Sequence, residues 1–393
     1  MPNYLTPGVY VEEVSSGTRS IQGVGTTTAA FVGRAPAVDA RLHEAVPVNG
    51  WAQFVKEFAP PGTPGTALAR AVYGFFENGG RRCFIVNIGD SESLVGDARR
   101  RQGVAVLEEV SEVAMVAAPG FADAAAWDAL LTHCEKMRDR FAILDAPEDV
   151  DDVGRLTKVA TGDPGGGLRP RASDQGYGAF YYPWFSTPDP LGDGKTLVNV
   201  PPSGHMAGIY ARTDVTRGVH KAPANEVVRG AMRLVRDVTP EEQGELNQVG
   251  VNCIRYFPRS GIRVWGARTV APADNSEWRY INVRRLFNFV EESIALGTHW
   301  TVFEPNGRTL WNSLKRDAHA FLLRLWRDGA LMGRTPEEAF FVQCDEQTNT
   351  PETIDAGQVF AVIGLAPVKP AEFIIFRIGQ HAGGVEVEEV SNG

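Results

Sequence analysis

Cysteine is scarce in this 393-residue chain: Cys83, Cys134, Cys253 and Cys344 lie far apart, with no CxxC pair and no histidine-rich run beside them. That spacing argues against a zinc site and a disulfide scaffold, and predicts reduced, mostly buried thiols in a cytosolic product. Long apolar runs are also missing. None approaches the roughly 20 residues of a membrane helix, and MPNYLTPGVY lacks the basic-then-apolar order of a signal peptide, so neither membrane insertion nor signal-directed secretion is expected. Positive charge is in deficit: 39 Lys/Arg face 48 Asp/Glu, a net −9, which leaves no global polycation for wrapping nucleic acid. What is present is ordinary core material, 43% hydrophobic residues, in a length that suits two or three domains.

The charge is unevenly placed. Residues 251–336 hold 13 Lys/Arg and 7 Asp/Glu, a balance of +6, whereas residues 337–393 hold 2 and 10, a balance of −8. A basic band followed by an acidic tail reads either as two solvated faces of one domain or as complementary surfaces of neighbouring copies.

Between residues 25 and 145 strand-type and helix-type segments alternate. TAAFVG (28–33), CFIVNI (83–88), VAMVAAP (113–119) and FAILDAP (141–147) read as strands, and CFIVNI is apolar enough to be buried on both faces. Residues 66–78, with Leu68, Ala71, Val72, Phe75 and Phe76 at helical spacing, a stretch holding Val106 and Val110, and residues 122–138 read as helices. The alternation implies a mostly parallel sheet covered by helices, an α/β fold that is α+β over the whole chain. Residues 161–203, with GDPGGGLRP, AFYYPWF (179–185) and STPDPLGDGKT, break the pattern and predict loops and edge structure. Thr239–Pro240–Glu241–Glu242 and Thr335–Pro336–Glu337–Glu338 each put proline at the first helical position and supply a capping-box glutamate. Two long helices are predicted at about 280–296 and 309–328, each stopping at a glycine, Gly297 or Gly329. The tail returns to strands at 359–367, 372–378 and 385–390.

One pattern joins the two ends of the chain: GVYVEEV (8–14) and GVEVEEV (384–390) agree at six of seven positions. A terminal strand with free backbone groups can complete a sheet in another copy by strand addition. Two such arms on one subunit permit an open polymer, because head-to-tail contacts that do not close generate helical filaments. The arm residues are Val9, Tyr10, Val11, Glu12, Glu13 and Val14 at one end, and Val385, Val387, Glu388, Glu389 and Val390 at the other.

Enzyme-like strings are weak. Gly192–Asp193–Gly194–Lys195–Thr196 has Asp189 where a Walker A loop needs its first glycine, and it follows a proline-rich loop rather than a strand, so a surface turn is expected. Gly165–Gly166–Gly167 lacks the flanking strand and helix of a dinucleotide fingerprint. No histidine has HExxH spacing; His205 and His220 read as loop residues, and Ser203 lacks the GxSxG elbow. Asp145, at the end of a strand, reads as a capping aspartate. Neither catalysis, a cofactor nor a metal is expected.

PGVYVEEV (7–14), GVGTTTAAFVG (23–33), HCEKMRDRFAILDAP (133–147), YYPW (181–184), VPPSGHMAGIYARTD (200–214), RGVHKAPANE (217–226), LNQVGVNCIR (246–255), GIRVWGARTV (261–270), WRYINVRRLFNFVEESI (278–294) and FEPN (303–306) together resemble the tail sheath proteins of contractile phage tails and related injection systems. The resemblance runs to roughly residue 380 and is to the compact, pyocin-like forms. It implies a two-domain fold whose inner, tube-facing domain is built from both chain ends: an N-terminal arm and linker (1–24), an outer α/β domain (25–250), an inner domain (251–378) and a C-terminal arm (379–393), with both arms extended strands. It also implies that both arms exchange strands with neighbours, through flexible links at 15–25 and 379–384.

The function so implied is mechanical. Subunits stack as six-membered rings around an inner tube protein, with baseplate and terminator or cap proteins at the ends, and contract to drive the tube through a target envelope. Assembly in the cytoplasm of a bacterium, and then a place in a phage tail or a released or cytoplasmic particle, are implied with it. The tube grip is expected on the helix at 309–328, whose apolar stripe leaves Lys315, Arg316, Arg324 and Arg327 off the buried line or at its margin. The alternative is that these cations pair with Asp317, Asp328 or a neighbour's acidic arm. Rival readings of the whole chain are an α/β enzyme and a monomeric binding module.

Overall fold

The computed structural model describes residues 20–375, apart from residues 92, 162 and 164. Both heptads, with the strand expected at 385–390, and the links at 15–19 and 379–384 lie outside the described residues.

The first elements are β1 (Ala29–Gly33), β2 (Val46–Val48), α1 (Trp51–Phe58), α2 (Ala67–Glu77) and β3 (Cys83–Asn87). The Thr66 hydroxyl starts α2 by accepting the Ala69 N–H. There follow β4 (Met115–Ala117), α3 (Ala124–Met137), β5 (Phe141–Asp145) and β6 (Gly178–Tyr182). Next come β7 (Phe185–Pro188), β8 (Leu197–Val200), α4 (Ser203–Arg217) and β9 (Arg233–Leu234), then α5 (Pro240–Gln248), β10 (Val251–Phe257) and β11 (Gly261–Trp265).

Eight strands form one sheet in the order β11-β10-β6-β5-β4-β1-β3-β2. The six inner strands are parallel, and β2 and β11 run antiparallel at the edges. Side chains alternate between two apolar layers. Phe31, Ile85, Ile143 and Tyr181 pack with Phe54 of α1, Phe75 of α2 and Ile209 of α4, whereas Val32, Val86, Leu144 and Phe180 pack with Trp127 and Leu131 of α3. The β11 edge is covered by its own chain: Asn225 N–H donates to Val264 O, Val264 N–H to Glu226 O and Val228 N–H to Ile262 O.

The expected α/β sheet is present, with several local differences. AFYYPWF is not edge structure, because Phe180, Tyr181 and Tyr182 lie on β6 between β5 and β10, where both faces are covered. The flanking glycines and prolines hid a strand whose aromatic side chains suit burial on both sides. The segment with Val106 folds as a single short 3-10 stretch, Val104–Glu109. β10 and β11 complete the sheet although they follow residue 250.

The chain then builds a second layer from α6 (Ile281–Thr298), α7 (Arg308–Arg327), α8 (Pro336–Ala339), β12 (Phe340–Gln343), α9 (Pro351–Asp355) and β13 (Val362–Leu365). Leu286, Val290, Phe321, Leu322, Phe340 and Val342 form its core. Gly297 does not stop α6 but lies within it, and the helix ends one residue later. Gly329, at φ 78, follows α7 as expected. Thr239 and Glu242 make the reciprocal capping box, whereas Thr335 makes no side-chain cap bond. Residues 372–375 of the strand expected at 372–378 are not strand.

Candidate assembly surfaces

Helix α6 joins the two layers through a polar stripe. Arg285 donates to both carboxylate oxygens of Asp214 on α4, at 2.9 and 2.6 Å, and to the Thr26 carbonyl at 3.0 Å; both charged side chains are 3% exposed. The Thr26 hydroxyl donates to the same Asp214 carboxylate at 2.6 Å. Arg284, also buried, lies 4.7 Å from the Tyr177 ring centre and 4.3 Å from that of Trp278, and donates to Asn288 Oδ1 at 2.7 Å. Asn288 in turn donates to the Arg140 carbonyl at 3.2 Å. An Arg–Arg pair on a helix otherwise marked by Val283, Leu286 and Val290 was the sequence signal for this joint, and spacing alone did not identify Asp214 as its partner.

Both ends of the described residues are held at this helix. Near its C-terminal end Ile21 is fully buried against Gly297, where a Cβ would come within 3.0 Å of it, and Arg324 donates to the Ile21 carbonyl. Val24 N–H donates to Ser293 Oγ at 3.1 Å. The link expected to be flexible over 15–25 is therefore held from Ile21 onward.

At the N-terminal end of α6 the Asn282 amide donates to Val368 O at 3.1 Å. Glu372 accepts from Arg268 at 2.9 and 2.5 Å and from the Tyr280 hydroxyl at 3.4 Å. Phe373, Ile374 and Ile375 beyond it are more than 70% exposed. With a rise of 1.5 Å per residue, the tethers at Gly297 and Tyr280 are roughly 25 Å apart.

β12 and β13 pair only with each other among the described residues, from Phe340 with Leu365 to Gln343 with Val362. Their inner face meets α7, and Phe341 on the outer face is 54% exposed. Among the described residues both outer edges of this two-stranded sheet are bare, which leaves backbone donors and acceptors free to pair.

The four candidate cations of α7 divide. All four are exposed, but Arg316 is ion-paired at 3.0 Å with the buried Asp317, one of the pairings expected as the alternative. Arg324 is engaged by the Ile21 carbonyl and lies 5.9 Å from the Phe321 ring centre, so it serves the chain's own N-terminal tether. Eleven residues at 100° each bring Arg316 and Arg327 within about 20° on the helix.

The enzyme-like strings take structural roles. Gly192–Thr196 lies in the connection between β7 and β8, where Asp193 accepts the N–H groups of Lys195 and Thr196 at 2.9 and 2.7 Å. Asp145 caps α4 as expected, accepting Ser203 N–H at 2.7 Å and its hydroxyl at 2.6 Å. Burial pushes its carboxyl up to about 7, against the pull of those two bonds. His205 is not a loop residue: it is buried on α4, edge-on to Phe185 and against Gly74, and burial pushes its imidazole down to about 3. All four cysteines are buried and free, and among the described residues no group of three or more His, Cys, Asp or Glu could hold a metal ion. No described helix is long and apolar enough to cross a membrane.

A layered α/β body is joined to a helical unit that holds Ile21 and Val368 at opposite ends of α6. The phage tail sheath protein central domain matches residues 101–270, and the phage tail sheath C-terminal domain matches residues 273–380. The tail sheath protein of Vibrio phage KVP40 is 31% identical over 178 residues, 44% of this chain and 26% of the phage protein, so the chain spans about a quarter of that relative's length. The contracted PVC sheath complex, from an extracellular contractile injection system, superposes with a TM-score of 0.76 at 31% identity, covering 97% of this chain and 99% of that one. The contracted helical sheath of the anti-feeding prophage superposes at 0.74 with 30% identity, over 96% of this chain and 100% of that one. The chain belongs to the tail sheath protein family.

Proposed function

We propose that the chain is the structural subunit of a contractile sheath, which stacks as six-membered rings around an inner tube and shortens to drive that tube through a target envelope. The observation that carries this reading is the tethering of Ile21 and Glu372 at opposite ends of α6, roughly 25 Å apart, beside a two-stranded sheet whose edges are bare among the described residues. Arms leaving from separate points reach different neighbours. Residues 8–14 of one copy and 384–390 of another add strands to β12–β13, by main-chain bonds with valines packing beneath. The similarity to the PVC and anti-feeding prophage sheaths, each in a contracted state, supports the mechanical cycle.

The sheet body forms the outer domain, and the α6–β13 unit with both arms forms the inner one. We draw the division between β11 and α6 rather than at residue 250, since β10 and β11 complete the sheet. Arg316 and Arg327, with Lys315 beside them, supply the tube grip. Baseplate and terminator proteins close the ends, and the particle assembles in the bacterial cytoplasm before serving as a phage tail or injection device.

Electron microscopy of the purified chain tests the reading. Tubes from the full chain, and a folded monomer after deletion of residues 1–14 or on Val11→Asp or Val387→Asp, are expected. Normal tubes from those variants would sink the arm assignment, and a full chain that stays monomeric at high concentration would sink the sheath itself.

A further inference from the structure

The loop between α6 and α7 holds an aromatic side chain out in solvent. Phe303 is completely exposed at φ 70, a left-handed conformation that is an outlier for a bulky residue, and Val302 beside it is 57% exposed. The loop is braced from behind. Asn306 donates to the Gln358 carbonyl at 2.9 Å and accepts the indole N–H of the buried Trp311 at 2.9 Å, while Glu304 N–H donates to Thr301 O at 3.1 Å. Glu304 is exposed and makes no ion pair among the described residues. A strained backbone with a fixed base presents an apolar ring flanked by a carboxylate, and nothing among the described residues covers it.

A groove of about 760 Å³ lies beyond the other end of α6, between the segment after α4 and the root of the C-terminal arm. Trp265 and Phe373 supply apolar walls, and Arg217, Lys221 and Lys369 are its cations; its carboxylate, Glu372, is already matched by Arg268. The groove therefore has net positive charge around an apolar floor, and the loop has the opposite charge around an apolar tip. The groove far exceeds what one phenyl ring fills, so Val302 and Glu304 enter with it.

We propose that Phe303 of one copy docks in this groove of a second copy, with Glu304 facing the groove's cations. Self-docking is excluded by geometry, because the 18 residues of α6 hold the knob roughly 27 Å from the groove of the same chain. Knob and socket on opposite ends of one helix make a head-to-tail contact, which builds a ring where its rotation closes and a helical filament where it does not. Phe373 and Ile374, at the root of the C-terminal arm, line the socket, so docking also fixes the direction in which that arm leaves. The inference rests on the sheath reading and adds to arm exchange a contact that needs no strand pairing.

The test uses the full-length chain with p-benzoylphenylalanine in place of Phe303, polymerised and irradiated, with the crosslinked peptides mapped. Crosslinks from position 303 to residues 217–225 or 369–374 of another copy are expected. Phe303→Ala should raise the critical concentration for polymerisation about tenfold while the monomer's melting temperature holds, since the ring packs on none of the described residues. Arg217→Glu should weaken assembly likewise, and combining it with Glu304→Arg should restore part of the loss. Tubes that crosslink elsewhere, to a different protein of the particle such as the tube, or not at all, would overturn the contact and leave the sheath reading standing. A full chain that never polymerises would overturn both.

Discussion

Glu372 holds Arg268 by both carboxylate oxygens, at 2.9 and 2.5 Å, and so pins its own segment beside the start of α6. The two side chains are 15% and 14% exposed, so water compensates little when one is lost. Glu372→Gln leaves a guanidinium without its counter-charge and should cost about 1–3 kcal/mol in urea unfolding. Assembly should suffer more than folding, because the arm's root is released. An unchanged polymerisation threshold in that variant would mean that the pair does not set the arm's course.

Arg285 and Asp214 are the polar centre of the joint between the layers, and Thr26 adds the N-terminal segment to the same carboxylate. Removing one buried charge strands the other, whereas replacing both with apolar groups need not. Asp214→Ala should therefore lose about 3–5 kcal/mol of unfolding free energy. Asp214→Leu combined with Arg285→Met should recover much of the loss, as a double-mutant cycle would reveal. The recovered double variant would still lack the hydrogen bonds to Thr26, so slower or less complete contraction is expected of its polymers.

The sheet was legible because Phe31, Ile85, Ile143 and their neighbours alternate between two apolar layers, a pattern that local sequence carries. β6 was not, since Gly176, Gly178 and Pro183 surround it with turn signals, and only its place between β5 and β10 makes a strand of it. The joint was half legible: Arg284 and Arg285 stand out on an apolar helix, but Asp214 lies 71 residues away in sequence. Arg324 read as a free cation, because no local pattern announces a bond to the Ile21 carbonyl across 303 residues. Local periodicity records which faces are apolar; partners brought together by the fold leave no such trace.

His205 should make the subunit sensitive to acid. Burial holds the folded imidazole down near 3, against 6.5 when free, so between those values the unfolded chain binds a proton that the folded chain refuses. Stability falls as pH drops from about 6.5 towards 3, at up to about 1.4 kcal/mol per pH unit. Asp145 acts oppositely: its carboxyl is held near 7 against 3.8, so the folded chain retains the extra proton and stability falls as pH rises through that window. His205→Leu should flatten the acid limb of a plot of unfolding free energy against pH. A limb of the same slope in the variant would assign acid lability to other groups.

Two helical glycines separate packing from propensity. In α5 a Cβ on Gly244 would meet no atom within 4 Å, so Gly244→Ala should stabilise the chain by up to about 1 kcal/mol through helix propensity alone. In α6 the same change at Gly297 drives a methyl to within 3.0 Å of Ile21, and Gly297→Ala should cost about 1–3 kcal/mol despite the identical propensity gain. Because Ile21 tethers the N-terminal segment, the second variant should also assemble poorly. Thermal melts of the two side by side decide it, and equal gains would show that Ile21 yields freely.

The exposed cations of α7 lead to a salt-dependent prediction. Arg316 and Arg327 share a face and Lys315 lies beside them, whereas Arg324 is engaged within the subunit and drops out of the set. A grip that must release on contraction has to be weak, and exposed charges are screened beyond about 8–10 Å at physiological salt. Combined Lys315→Glu and Arg327→Glu should spare folding, since both side chains lie in solvent and neither is ion-paired among the described residues, and should still allow empty contracted tubes. Extended sheaths around an inner tube should become rare, and in the wild type they should thin out as salt rises. Arg324→Glu should behave differently, destabilising the isolated subunit by loosening Ile21. If the double variant gives extended particles as readily as the wild type at every salt concentration, the tube is held by another face.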